Sequence, residues 1–196
     1  MYDENFFAEY EKYLFDPSVR SVHNAVFSLI ETYVEFNHVI DLGCGLQEFR
    51  RFTNPFTYVG VESPRSTFCQ DDNVILFDYR HEDFTAIVKS MNKPLSFVSL
   101  FSSEIVAPYQ ENYELYERLF KETRLIMGLV SGFYYANRKS QKIVKETGEI
   151  ASFQTLEPIE EVKSDIFHET RITVPCPSKM FGPNVIEVWK IFRKYL

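Results

Sequence analysis

Asp41, Gly43, Gly45, Glu62 and Asp78 stand at intervals that can do chemistry together. Asp41 lies in "HVIDLGCGLQ" (His38 to Gln47), Glu62 closes the apolar part of "TYVGVES" (Thr57 to Ser63), and Asp78 lies in "NVILFDYR". Glycines just past an apolar run permit a tight turn and let a ligand approach the backbone closely. A helix expected to begin near Leu46 or Gln47 would aim free N–H groups at the same place, which suits a carboxylate or phosphate. An acid about 20 residues beyond such a turn is where a pair of ribose hydroxyls is commonly read. Asp78 is placed to accept a hydrogen bond from an adenine amino group, with Tyr79 beside the ring. Taken singly, a Gly-x-Gly is most often just a turn and an acid at a strand end is common. The joint spacing is the specific signal.

The elements that must position these residues are short and alternate in type. Apolar, β-branched runs fall at Val39-Ile40, Tyr58 to Val61, Val74 to Phe77, Phe97 to Phe101 and Leu125 to Tyr135. Helical spacing is read at Glu4 to Leu14, Ser18 to Phe36, Glu82 to Met91 and Gln110 to Arg124. In the second of these, Val19, Val22, Val26, Leu29, Ile30 and Val34 form an apolar stripe behind the start signal Asp16-Pro17-Ser18. Strands alternating with helices predict a parallel sheet covered on both faces, with ligands at the carboxyl ends of the strands. Towards the C-terminus, "HETRITVPCP" and "NVIEVWKIF" read as an antiparallel hairpin at the sheet edge. Around Thr147-Gly148 a small hairpin and a helix broken at Gly148 are both open. No linker, repeat or low-complexity tract divides the chain. One domain is therefore expected over 1–196, with N-terminal helices in 1–36, a binding core in 37–135, and an insertion plus edge hairpin in 136–196.

Composition narrows the class. Twenty-one basic side chains against 28 acidic ones give a net charge of −7, which argues against a general nucleic-acid surface. Cys44, Cys69 and Cys176 imply no disulfide framework, and His23, His38, His81 and His168 never fall at metal-ligand spacing. No run approaches the roughly 18 apolar residues of a membrane span. The acidic, interrupted N-terminus does not read as a signal peptide, so a cytoplasmic protein is expected. Arg138, Lys139, Lys142 and Lys145 form the local basic feature. Nineteen Phe and 12 Tyr favour large apolar pockets, though most such rings are core.

"VIDLGCG", "YVGVES" and "VILFDYR" resemble the first three motifs of class I S-adenosylmethionine-dependent methyltransferases, over roughly Val39 to Phe101. The resemblance implies a doubly wound, mostly parallel seven-stranded α/β sheet with an antiparallel edge hairpin and N-terminal helices. It implies S-adenosylmethionine as cofactor. Asp41, Gly43 and Gly45 would line its methionine part, with Cys44 filling the motif between the glycines. Glu62 and the adjoining Ser63 would take the ribose, Asp78 and Tyr79 the adenine. Phe101, closing the fourth strand, joins this set, and Arg20 is a candidate partner for the methionine carboxylate. Gln47 stands where a nicotinamide-binding domain keeps its third glycine.

The acceptor side is read on the same resemblance. The fourth strand ends in "SLFSSEIVAPY", where Glu104 is the strong base, flanked by Ser102 and Ser103. No Asp/Asn-Pro-Pro-Tyr/Phe sequence follows, and Pro175-Cys176 lies too late for a cytosine-attacking cysteine. Tyr10, Tyr13, Phe15 and His23 from the N-terminal helices, and Tyr134, Tyr135, Asn137 and Arg138 after the fifth strand, are candidates for the acceptor pocket. A methyltransferase acting on a small molecule is the expected function. The alternatives are a catalytically silent cofactor-binding protein and a ribosomal-RNA methyltransferase. "DPSVR" and "DLGCGLQEF" are loosely similar to ribosomal-RNA enzymes of the aminoglycoside-resistance type; the acidic N-terminus counts against that assignment.

Overall fold

The computed structural model describes residues 11–32, 34, 36–53, 57–64, 71–91, 93, 95–102, 109–135, 163–176 and 185–196. Among them the strands are β1 (Val39–Leu42), β2 (Tyr58–Glu62), β3 (Val74–Leu76), β4 (Leu95–Leu100), β5 (Leu125–Tyr135), β6 (Phe167–Pro175) and β7 (Val185–Lys194). The α-helices are α1 (Pro17–Glu31), α2 (Phe84–Ser90) and α3 (Tyr109–Glu122). Residues 11–15 are also helical. The rest of the expected first helix and the Thr147-Gly148 segment lie outside the described residues.

The sheet has seven strands in the order β3-β2-β1-β4-β5-β7-β6. β1 pairs in parallel with both β2 and β4, β2 with β3, and β4 with β5. Chain order therefore reverses between β1 and β4, which is the topological switch point expected to carry a ligand. β6 and β7 run antiparallel. Cys176 N–H donates to Val185 O and Tyr195 N–H to Ile166 O, so pairing advances along one strand as it retreats along the other. The doubly wound sheet and the edge hairpin are as the sequence indicates.

Two compact units are distinguished by their contacts. One draws on Met1–Glu35, Phe133–Ile159 and Ile172–Glu187; the other on Phe36–Gly132, Glu160–Arg171 and Val188–Leu196. In the first, Asp16 caps α1 by accepting from Ser18 N–H at 2.8 Å, and Pro17 opens it, which suits a residue whose missing N–H is not needed there. The helix ends at Glu31 rather than at Phe36. Thr32 closes it by donating from both its N–H and its hydroxyl to Leu29 O. Its buried face is Val19, His23, Val26, Phe27 and Ile30, while Leu29 is 45% exposed. The apolar stripe is thus rotated from the one expected, with a histidine in its middle.

The second unit is an aromatic core. Phe97 stacks on Tyr116 at 5.3 Å, and Phe167 meets Phe192 edge-on at 4.9 Å. Tyr113, Phe120 and Leu119 of α3 complete the layer over β4, β5 and β7. Gly128 on β5 is required by this packing, because a Cβ there would lie 2.3 Å from the Phe97 ring. α3 thereby holds β4 and β5 in place beside β1.

Candidate cofactor site

The loop after β1 is built on β2. Gly43 N–H and Cys44 N–H both donate to Val61 O, at 2.8 and 3.1 Å. Gly43 and Gly45 have φ of +68° and +45°, a region that side chains disfavour. The buried Cys44 side chain fills the space beside Gly60, where a Cβ would come within 2.7 Å of its sulfur. A Cβ on Gly43 would fall 1.8 Å from Ser102 Oγ, whereas one on Gly45 would meet nothing within 4 Å. The two glycines therefore differ in purpose. Gly43 admits a neighbouring side chain, and Gly45 leaves an open face.

The next element corrects an expectation. No α-helix begins at Leu46 or Gln47. Gln47 is itself left-handed at φ +58°, and Glu48–Phe52 form a 3-10 helix of five residues. A left-handed residue at its head and so short a run cannot present the row of free N–H groups that a long helix would. Arg50 fastens this turn by donating to the side chains of Gln47 and Asp71.

Glu62, at the carboxyl end of β2, receives Gly45 N–H on one oxygen and Ser63 N–H on the other, both at 2.8 Å. Each carboxylate oxygen has a second lone pair, so the group retains acceptor capacity. Asp41 sits one strand over, paired in register with Gly60, and is 3% exposed. Tyr58 hydroxyl donates to its Oδ2 at 2.8 Å. Burial pushes the Asp41 carboxyl up to about 7; the Tyr58 hydrogen bond opposes this and the neighbouring Glu62 charge adds to it.

β3 stops at Leu76, although Phe77 N–H still donates to Glu62 O at 2.9 Å. Asp78 follows in the turn, exposed, with its Oδ1 accepting Arg80 N–H at 3.0 Å. Tyr79 is buried, which raises its phenol above the ordinary value. The Arg80 guanidinium lies 5.7 Å from the Tyr79 ring centre and donates to Asn112 Oδ1 at 2.5 Å, and Arg118 donates to Arg80 O at 3.1 Å. Phe101, at the end of β4, has φ +52° and donates its N–H to Ser131, at 2.9 Å to the carbonyl and 3.2 Å to Oγ. Its ring meets Trp189 edge-on at 5.5 Å. This turn brings Ser102 against Gly43, with Ser102 Oγ 3.4 Å from Tyr79 hydroxyl.

Asp41, Gly43, Cys44, Gly45, Glu62, Ser63, Asp78, Tyr79 and Phe101 all belong to the second unit, at or just past the ends of β1 to β4. Arg20, Tyr13, His23, Tyr134 and Tyr135 belong to the first. There Arg20 Nε donates to Leu14 O at 3.3 Å and its guanidinium lies over the Phe15 ring. Tyr13 hydroxyl donates to Glu187 Oε1, and His23 Nε2 is 3.2 Å from Glu187 Oε2. Tyr134 and Tyr135 are buried at the end of β5. Glu104, Ser103, Tyr10, Asn137 and Arg138 lie outside the described residues. Tyr58, Arg80 and Asn112 were not singled out from the sequence. Arg80 directly follows Tyr79 in its motif, which was a usable signal; nothing in "QENYEL" marks Asn112 as wholly buried.

Among the described residues no group of three His, Cys, Asp or Glu side chains is arranged to hold a metal, and no helix is long and apolar enough to cross a membrane.

This fold is that of the class I S-adenosylmethionine-dependent methyltransferases. The particular likenesses are to solved structures. The mycolic acid cyclopropane synthase CmaA1, complexed with SAH and CTAB, superposes with a TM-score of 0.60 at 10% identity, over 91% of this chain and 91% of that one. The magnesium protoporphyrin IX methyltransferase ChlM from Synechocystis PCC 6803, with bound SAH, gives 0.56 at 10% identity over 97% and 95%. The N-methyltransferase NodS from Bradyrhizobium japonicum WM9 gives 0.55 at 12% identity over 93% and 99%. No family model matches the chain, and no curated protein matches it.

Proposed function

We propose that this protein is an S-adenosylmethionine-dependent methyltransferase acting on a small molecule. The carrying observation is the pairing of Gly45 with Glu62: an open backbone face beside a carboxylate held by two N–H groups. These residues fit an S-adenosyl group. Glu62 would take the two ribose hydroxyls, with Ser63 beside it. Asp78 and Tyr79 would hold the adenine, and Asp41, Gly43, Cys44 and Gly45 the amino-acid part, with Phe101 closing the fourth strand behind them. When bound, the cofactor supplies an electrophilic methyl group on a sulfonium.

What remains for the chain is alignment, exclusion of water, and removal of a proton where the nucleophile arrives protonated. Glu104 is the candidate base. Tyr10, Tyr13, His23, Tyr134, Tyr135 and Arg138 are the candidates for acceptor contact, and Arg20 for the cofactor's carboxylate. The solved relatives with SAH bound, CmaA1 and ChlM, support the choice of cofactor. Net charge −7 favours a small-molecule acceptor over ribosomal RNA.

Titration calorimetry with S-adenosylhomocysteine tests this reading. Binding is expected, and Glu62→Ala should weaken it by about 2 kcal/mol, in line with roughly 1–3 for hydrogen bonds to a charged group. Glu62→Gln, which keeps the length and one acceptor, should fall between. Tight binding of a nicotinamide dinucleotide with no response to S-adenosylhomocysteine would overturn the assignment. A screen of acceptors with labelled S-adenosylmethionine separates an enzyme from a silent binder. Once turnover is found, Glu104→Gln should slow it by about 10²–10⁴-fold with cofactor affinity unchanged.

A further inference from the structure

The turn that follows β3 is tied to α3 at a single residue. Asp78 O accepts His81 N–H at 3.0 Å, which closes a four-residue turn with Tyr79 and Arg80 at its centre. Within it Asp78 Oδ1 accepts Arg80 N–H at 3.0 Å, the arrangement in which an aspartate bonds its own backbone two residues on. Arg80 is held twice more, both times from α3. Arg118 Nη2 donates to Arg80 O at 3.1 Å, and Arg80 Nη2 donates to Asn112 Oδ1 at 2.5 Å. Amide, carbonyl and guanidinium of this one residue are all engaged. The guanidinium also lies 5.7 Å from the Tyr79 ring centre, within the range of a cation–π contact.

Asn112 is the fixed end of this chain of contacts. It is wholly buried, and a buried amide costs free energy unless it is bonded. A guanidinium offers donors only, so the amide turns its oxygen towards Arg80. α3 is in turn locked by its rings. Tyr116 stacks on Phe97 of β4 at 5.3 Å, and Phe120 meets the same ring edge-on at 5.6 Å. The Asn112 bond therefore carries the position of a core helix to a turn at the surface. Asp78, at the head of that turn, is exposed. An untied turn would let its carboxylate swing into water. The tie holds it in one place, with acceptor capacity left for a donor.

On the S-adenosyl reading of this site, on which the inference rests, we propose that Arg80, held by Asn112, is the positioning residue for the adenine. It fixes the Asp78 carboxylate where the adenine amino group donates, and so sets the preference for adenine over a purine lacking that group. Arg80 acts through Asp78 and needs no contact with the base. Loosening the turn removes the one bond that distinguishes the two purines, whereas a general loss of packing weakens both ligands alike.

Titration calorimetry of the full chain tests this with S-adenosylhomocysteine and its analogue carrying hydrogen in place of the adenine amino group. The parent should prefer S-adenosylhomocysteine about tenfold or more, as a hydrogen bond to a charged group allows. In Asn112→Leu that preference should fall towards equal binding, while affinity for the analogue changes about twofold or less. Arg80→Met removes the other partner of the same bond at a half-buried position, and should do the same. Circular dichroism establishes which variants are folded, and either one suffices. A parent that binds neither compound would overturn the S-adenosyl reading and the positioning role together. A parent that binds both equally, or folded variants that keep the parent's preference while binding both compounds more weakly, would overturn the positioning role alone.

Discussion

Glu187 shows how a single side chain sets the meaning of its neighbours. It is fully buried on β7, with Tyr13 hydroxyl donating to one of its oxygens and His23 Nε2 3.2 Å from the other. A buried carboxylate persists only where such partners offset its desolvation. His23 and Tyr13 are therefore seated in a core network, whatever contact either makes with an acceptor. Replacing Glu187 by leucine would remove the carboxylate that accepts from the buried Tyr13 hydroxyl and lies beside His23. The expected loss is about 3 kcal/mol of unfolding free energy, at the level of breaking one side of a buried polar pair. Glu187→Gln keeps an acceptor oxygen and should lose less than half of that. Urea denaturation of the two variants checks the ordering, and equal losses would show that the acceptor oxygen retained by glutamine contributes nothing.

At the scale of elements, the glycine loop offers the cleanest comparison. Gly43→Ala puts a Cβ onto Ser102 and asks alanine to hold φ +68°; Gly45→Ala asks only for φ +45° in open space. Strain alone is worth about 1 kcal/mol, and the added clash typically about 1–3 more. Gly43→Ala should therefore destabilise the fold more than Gly45→Ala, and Ser102→Gly should restore part of the loss in the first variant only. Thermal unfolding of the parent, the two glycine variants and each of these combined with Ser102→Gly reads this directly. Gly45→Ala should instead show its effect in S-adenosylhomocysteine affinity, because its methyl group occupies the open face. The strands that carry this loop were legible because a buried parallel strand needs an unbroken apolar run, as in Val39-Ile40 and Tyr58 to Val61. The 3-10 turn was not legible. "LQEFRRF" has helical composition, and only Gln47 in a left-handed conformation, with Arg50 tied to Asp71, shortens it. The stripe of α1 departs from its expected position for a related reason. His23 takes a core position because Glu187 waits on β7, and a distant partner of that kind leaves no trace in local periodicity.

For the whole molecule, strand order was legible once three strand ends carried matching groups, whereas the pairing of Asp41 with Tyr58 depends on register and emerges only in three dimensions. That pairing gives global stability a pH dependence of defined sign. Burial raises the Asp41 carboxyl from its ordinary 3.8 to about 7. Between those values the folded protein holds a proton that the unfolded chain has released, so deprotonation favours unfolding. The stabilising contribution is complete below about pH 3.8 and is lost as pH rises through about 7. A tenfold difference in proton affinity between the folded and unfolded chain is worth about 1.4 kcal/mol. The change from pH 5 to pH 8 therefore amounts to roughly 2–3 kcal/mol. Asp41→Asn keeps the shape and still accepts from Tyr58, but cannot ionise. Its unfolding free energy should exceed that of the parent at pH 8 by more than it does at pH 5. Chemical denaturation of both proteins at the two pH values cancels the contribution of every other titrating group. If the difference between them does not grow as pH rises, Asp41 is ionised in the folded state across this range and water or a neighbouring dipole stabilises its charge.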